Sequence, residues 1–259
     1  MSKEQNMNTS QGHWILAKMG KRVLRPGGKE LSMKMIEGLN ISPNDDVVEF
    51  APGLGFTAGI TLGKNPKSYT GVELNEEAAG ILKNRLKGKD FKIIIGNAAE
   101  STLESNSVDK VYGEAMLTMH ADHRKSEIIR EAYRILKSGG FYGIHELGLT
   151  PDEIPADKKA EIQKELALAI KVNARPLTVS EWTELLEKEG FSVVKVETNP
   201  MHLLEPKRII DDEGFFRTLK IFFNIMTNPA ARKRILTMRK VFRDNAQNLN
   251  AVAIIAQKK

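Results

Sequence analysis

The sequence predicts an α/β fold, a mostly parallel sheet with helices on both faces. Three observations lead there. Strand-like and helix-like segments alternate from residue 46 to residue 147, the pattern of βαβ units. The first strand runs straight into Ala51-Pro52-Gly53-Leu54-Gly55. Glycines without a Cβ let the chain turn sharply there and let a ligand lie against the backbone. The helix behind that turn opens with free N–H groups. Later, Lys137-Ser138-Gly139-Gly140 is a helix stop directly ahead of another strand.

In order, residues 1–11 are polar and read as disordered or loosely held. His13 to Arg25 is mixed apolar and basic and ends in the turn Arg25-Pro26-Gly27-Gly28. Leu31, Met35, Ile36 and Leu39 repeat at helical spacing, predicting a helix over 29–39. Strands are expected at 46–50, 68–74, 91–95, 108–113 and 141–145, with helices at about 56–63, 76–87 and 122–137 between them. A helix over 156–171 follows. Thr178 with Glu181 is a capping box for the next helix, which Gly190 ends. A sixth strand is expected at 191–197 and a seventh at 251–256. Between them, Phe215, Leu219, Phe222, Phe223 and Met226 mark an apolar helix face, and Asn228-Pro229 opens a basic helix. Residues 1–45 are thus expected to form a helical cap, and 46–259 a ligand-binding domain. Insertions at 151–177 and 200–246 would cap the strand ends, where open α/β sheets bind ligands.

Composition narrows the chemistry. No cysteine occurs in the 259 residues, which excludes disulfides, thiolate zinc sites and cysteine nucleophiles. The start lacks an apolar run of signal-peptide length, and no apolar run is long enough to span a membrane. A cytoplasmic protein is expected. The formal net charge is +6, ordinary for a mildly basic protein.

The glycine turn has two readings. Gly53-x-Gly55-x-x-Ala58, with Glu73 twenty residues on, fits a dinucleotide fingerprint and an NAD-linked oxidoreductase. Its surroundings point elsewhere. Glu49-x-Ala51-x-Gly53-x-Gly55, Gly71-Val72-Glu73-Leu74, Gly96-Asn97-Ala98, Ser107-Val108-Asp109 and Arg134-Ile135-Leu136-Lys137-Ser138-Gly139-Gly140 occur in that order. This set resembles the motifs of class I S-adenosylmethionine (SAM) methyltransferases, in the style of the small-molecule group that includes ubiquinone and menaquinone methyltransferases. Ala51 stands where that family usually has its first glycine, and Asn97 where it has an acid. The resemblance implies a Rossmann-like seven-stranded sheet with an antiparallel last strand, and SAM as cofactor. It implies that Ala51, Gly53 and Gly55 let the backbone approach the methionine part and ribose, with Glu49 near the cationic amino group. Glu73 would accept the ribose hydroxyls, Leu74 would follow it at the strand end, and Asn97 and Ala98 would contact adenine. Glu114, Ala115 and their neighbours would lie under the transferred methyl group.

A sulfonium methyl is already activated, so alignment and exclusion of water matter most, and a base only where the acceptor must lose a proton. His145 and Glu146 end the fifth strand and His120 follows the fourth, all on the ligand edge, so these are the candidate catalytic residues. No metal is expected, because the spacing around His120 and His123 is loose. Trp14, Met116 and Met119 suggest an apolar substrate pocket. The expected acceptor is a small organic molecule, aromatic or quinone-like, with no nucleic-acid partner. Two further functions compete with this one: an RNA methyltransferase using the basic helix, and a non-catalytic SAM-binding module. The Phe-rich face of 215–226 is expected to pack on the core. A basic, aromatic surface helix that gathers lipophilic substrates from a membrane is the competing reading of that segment.

Overall fold

The computed structural model describes residues 11–259. The expectation for residues 1–11 therefore falls almost wholly outside the described residues. The alternating segment forms β1 (Asp46–Phe50), α3 (Phe56–Leu62), β2 (Ser68–Glu73), α4 (Glu76–Arg85), β3 (Lys92–Ile95), β4 (Val108–Glu114), α5 (Asp122–Ile135) and β5 (Leu136–Leu149). Ahead of it lie α1 (Gly12–Lys18) and α2 (Gly28–Gly38). After it come α6 (Ala156–Ile170), β6 (Leu177–Thr178), α7 (Val179–Lys188), β7 (Phe191–Pro200), α8 (Pro206–Glu213), α9 (Phe215–Met226), α10 (Pro229–Asp244) and β8 (Leu249–Lys258).

The sheet runs β3-β2-β1-β4-β5-β8-β7. β1 to β5 pair in parallel, and β8 inserts antiparallel between β5 and β7. The expected seven strands are joined by an eighth, the two-residue β6, which pairs parallel with the end of β5. Strand alternation separates two cores. Val48, Val111, Val252 and Ile254 face Ile128, Ile129 and Trp182 from α5 and α7. Val47, Tyr112, Ala253 and Ile255 face Leu31 and Met35 from α2 and Leu39 just after it.

Local signals account for most element ends. Thr178 and Glu181 make both bonds of the capping box. Asn228 accepts from Ala231 N–H at 3.0 Å while Pro229 takes the first turn. The stop of α5 comes earlier than the Gly-Gly pair. Leu136 is already extended, at φ −68° and ψ 139°, and pairs in parallel with Val108. The Lys258 ammonium donates to the freed carbonyls of Tyr133 and Leu136, each at 2.7 Å. Tertiary partners thus end this helix before its glycines do.

The cap has its own core. Leu16 and Met19, Ile162 and Leu166, and Ile235 and Met238 bring α1, α6 and α10 together over the C-terminal end of β5. One expectation from the sequence is overturned: the Phe-rich face of α9 does not pack on the core. Phe216 is 86% exposed and Phe223 67%, with Phe215, Leu219 and Met226 exposed beside them. Only Thr218 and Ile221 of this helix are buried. The apolar spacing does mark one stripe, but the inner contacts of the helix use other positions.

Candidate active site

The site is built where β1, β2 and β4 end side by side. After Phe50 the chain turns through Ala51 (φ +52°) and Gly53 (φ +53°) before α3. Ala51 N–H donates to the Val72 carbonyl at 2.9 Å, which fixes the turn to the neighbouring strand. Glu73, at the end of β2, accepts from Gly53 N–H and from Asn75 N–H, one on each oxygen, both at 2.9 Å. Burial pushes its carboxyl up from its ordinary value, against those backbone donors. Each oxygen keeps acceptor capacity, so the carboxylate can take two further donors at once.

These groups line a cavity of about 280 Å³. Ala51, Gly53, Glu73, Glu114 and Ala115 line it together with Trp14, Met116 and Met119. The cap completes the wall with apolar side chains, among them Leu16, Leu203, Met238 and Phe242.

The strap between α1 and α2 forms part of the cavity wall, and α8 holds it in place. The buried Lys21 ammonium lies 3.4 Å from Asp212 and 3.9 Å from Glu213. Burial lowers its pKa, and those two carboxylates work against that shift. Glu213 also accepts from the Arg22 and Val23 amides, at 2.6 and 2.8 Å. This pins Leu24, Arg25 and Pro26 along the cavity wall.

A buried polar network underlies the floor. Glu114 accepts from Ser32 Oγ at 2.6 Å, meets His145 Nδ1 at 2.8 Å and pairs with Arg25 at 2.8 Å. Thr57 bonds both Glu114 and Arg25. Burial alone would raise the Glu114 carboxyl; the Arg25 guanidinium and His145 outweigh it and hold it at about 2.

The candidate catalytic residues sit elsewhere than expected. His145 is fully buried, and its Nε2 lies 2.6 Å from the Pro26 carbonyl. Both ring nitrogens are engaged, so the ring has no access to a ligand. Glu146 is also fully buried. It accepts from the amides of Met116, Leu117 and Thr118 at 2.8–3.0 Å, shaping the turn after β4. They do not end the strand as expected, because β5 continues to Leu149 through its pairing with β8 and β6, and both side chains point into protein. His120 is partly buried and off the cavity wall. Among the described residues no group of three His, Asp or Glu side chains could hold a metal.

Further expected site residues also lie off the wall. Glu49 is buried under the sheet, where Tyr69 and Tyr112 hydroxyls donate to it at 2.5 and 2.7 Å, and burial pushes its carboxyl up to about 7. Gly55 serves packing: a Cβ there would come within 2.2 Å of Leu82 Cδ1. At Gly53 a Cβ would meet nothing closer than 4.0 Å, which leaves the space a ligand needs. Leu74 is exposed, Ala98 is buried against the core, and Asn97 accepts from Ala99 N–H at 3.0 Å. None of these three lines the cavity.

Arg25 and His13 belong to the site although the sequence does not point to them. In the sequence Arg25 reads only as the start of a turn, because its partner Glu114 is 89 residues away. His13 lines the cavity beside Trp14, with ring centroids 4.8 Å apart, and burial lowers its pKa to about 4. Its neighbour Trp14 is the available signal, since a short helix that turns one residue into a pocket brings others with it.

Comparison with known proteins agrees with this architecture. Residues 48–144 match the methyltransferase domain family. An uncharacterised protein of Haemophilus influenzae is 36% identical over 253 residues, covering 95% of this chain and 98% of its own. Among solved structures, the [4+2]-cyclase SpnF aligns with a TM-score of 0.75 at 14% identity, over 96% of this chain and 94% of that one. A phosphoethanolamine N-methyltransferase 2 from Haemonchus contortus, in complex with phosphomonomethylethanolamine and S-adenosylhomocysteine, aligns at 0.72 with 18% identity, over 98% of this chain and 58% of that one. The chain belongs to the class I SAM-dependent methyltransferases. Members of that family are enzymes that use SAM, and the dinucleotide reading of the glycine turn is set aside.

Proposed function

We propose that the chain transfers a methyl group from SAM to a small, largely apolar organic acceptor, of which aromatic and quinone-like molecules are examples. The observation that carries this reading is a single cavity with two kinds of wall. The backbone turn with the Glu73 carboxylate, the apolar residues Met116 and Met119 after β4, and the apolar cap residues Trp14 and Phe242 all line this one cavity. A donor and an acceptor bound there would be neighbours.

The residues present suit the cofactor. Glu73 can accept both hydroxyls of a ribose through charge-assisted bonds. The open space at Gly53 lets a ligand rest on the backbone of the turn. Leu74, Asn97 and Ala98 lie off the cavity wall, so the cavity itself would receive the ribose side of the cofactor, with no adenine contact from these three. When bound, the cofactor supplies an activated methyl group on sulfur, and the rest of the chemistry is positioning. Glu114 and Arg25 neutralise one another, so the cavity floor offers an acceptor no free charge. The strap pinned by Asp212 and Glu213 keeps bulk water from that side. His145 and Glu146 act here as positioning residues, fixing Glu114 and the 116–118 turn. His13, kept neutral because burial lowers its pKa to about 4, is the cavity imidazole able to accept a hydrogen bond from an acceptor hydroxyl and so orient it.

The test is a methyl-transfer assay that follows S-adenosylhomocysteine release over aromatic, quinol, amine and lipid acceptors, with calorimetry of SAM binding. Turnover confined to apolar acceptors is expected, and His13→Ala should lower kcat on hydroxyl acceptors while leaving SAM affinity unchanged. SAM binding without turnover on the whole panel would favour a non-catalytic module. Turnover only on RNA would replace the acceptor class.

A further inference from the structure

We infer that α9 docks this protein on an anionic lipid surface, with the strap over the cavity beside the point of contact. Residues 215, 216, 219, 222, 223 and 226 recur at three- and four-residue spacing, so they share one side of the helix. Five of the six are more than half exposed among the described residues, and Phe222 is 36% exposed. Leaving four phenylalanine rings in water gains nothing for the fold, and a stripe of this kind marks an interaction surface.

Charge identifies the occupant. Between 206 and 244 the chain carries ten Lys and Arg against four Asp and Glu, which accounts for the whole formal net charge of +6. α9 itself has Arg217 and Lys220 and no acid. Lys18, Arg22, Lys207, Lys220, Arg232 and Lys233 make no salt bridge among the described residues. α9 packs against α8 and α10, which carry Lys207, Arg232 and Lys233, and an exposed apolar face among such basic helices suits the interface of a bilayer with acidic headgroups. A second copy of this chain suits it poorly. The helix is about 18 Å long and roughly 10 Å across, a footprint of about 200 Å² against the ~800 Å² per partner of a stable interface. A two-fold pairing would also face the same cations against each other. Residues 1–10 offer only Met1 and Met7 as apolar side chains, too few to cover the stripe.

The helix is tied to the cavity roof. Asn224 donates to the Met19 carbonyl at 3.0 Å, and Arg217 Nε donates to the Gly20 carbonyl at 3.2 Å. The strap continues from that turn to Arg22, Leu24 and Arg25 on the cavity wall. Arg22 and Arg217 lie close enough to depress the Arg85 pKa, behind burial as the larger cause. Arg217 and Asn224 lie on the side of α9 away from the apolar stripe, so a membrane under the stripe would sit one helix width from the strap that lines the cavity. Docking itself does not depend on the methyl-transfer reading.

The test is sedimentation of the purified chain with vesicles of phosphatidylcholine alone or mixed with phosphatidylglycerol, at low and high salt. Binding should be confined to the phosphatidylglycerol vesicles and weaken with salt. Phe216→Ser and Phe223→Ser should each reduce it roughly tenfold, with melting temperature and SAM affinity unchanged. Lys220→Glu with Lys233→Glu should weaken it and flatten the salt dependence. Three results would overturn the inference: no binding to anionic vesicles, binding indifferent to both Phe substitutions, or a dimer that those substitutions split. Salt-sensitive binding to random RNA that exceeds vesicle binding and ignores the Phe substitutions would overturn it as well.

Discussion

Replacing Glu73 probes the cofactor site most directly. In the structure each of its oxygens already accepts one backbone amide at 2.9 Å, from Gly53 and Asn75. A ribose diol would take the remaining acceptor capacity of both. Hydrogen bonds to a charged group contribute about 1.5–3 kcal/mol each. Glu73→Gln removes the charge and turns one acceptor into a donor, which then faces a backbone N–H. At least one of the two ribose bonds is lost, so SAM affinity should fall roughly tenfold or more. Glu73→Ala loses both and should cost about a hundredfold or more. It also frees the Gly53 amide, so some of the loss comes from a looser turn. Titration calorimetry with SAM and with S-adenosylhomocysteine measures the affinity. A thermal melt of the cofactor-free protein separates ligand contact from folding, because Gln can still accept one amide and should melt within a few degrees of wild type. Wild-type affinity in Glu73→Ala would refute the placement of the ribose. A parallel collapse of the cofactor-free fold in both variants would make Glu73 a structural residue.

Other substitutions test separate parts of the structure. Gly55→Ala should destabilise the cofactor-free protein by about 1–3 kcal/mol, because its Cβ would collide with Leu82 at 2.2 Å, read as a lower urea midpoint. Gly53→Ala meets no such collision and carries backbone strain of only about 1–2 kcal/mol, so its larger effect should be on SAM affinity. Glu114→Gln leaves the mostly buried Arg25 without its counter-charge and should cost about 3 kcal/mol by urea unfolding; a midpoint shift near zero would contradict the ion pair. The two buried carboxylates predict opposite pH trends. Glu49 is raised from 4.5 to about 7, so the folded form binds the extra proton and this group's stability contribution falls as pH rises through that window. Glu49→Gln, with an oxygen still able to accept from both tyrosines, should gain stability relative to wild type between those pH values. Glu114 is held at about 2, so its contribution is present above 4.5 and is lost as pH falls toward 2. Thermal melts across a pH series check both; a flat difference between variant and wild type would show that the group does not titrate as described.

The sequence by itself determined the sheet and the glycine turn beside which the cavity opens. Those depend on local features: alternation of period, the glycine turn after β1, the acid that ends β2, and capping signals such as Thr178 with Glu181. It also predicted Trp14, Met116 and Met119 as cavity residues, because strand ends and the adjoining cap converge on one edge in this topology. What the tertiary structure decided is where side chains point and who pairs with whom. The sequence places His145 and Glu146 at the end of the fifth strand, yet β5 runs on to Leu149, one residue is sealed beneath Pro26 and the other caps a backbone turn. A strand's pleat and the packing above it set that direction, and neither is written in the residues themselves. Arg25 with Glu114, and Lys21 with Asp212, join positions far apart in the chain, so no spacing rule could announce them. The Phe-rich face of α9 is the clearest case. Its period is legible as a helix stripe, but a period says only that residues share a face. Whether that face meets the core or the outside depends on which other helices have already filled the space over β5, and α1, α6 and α10 have filled it.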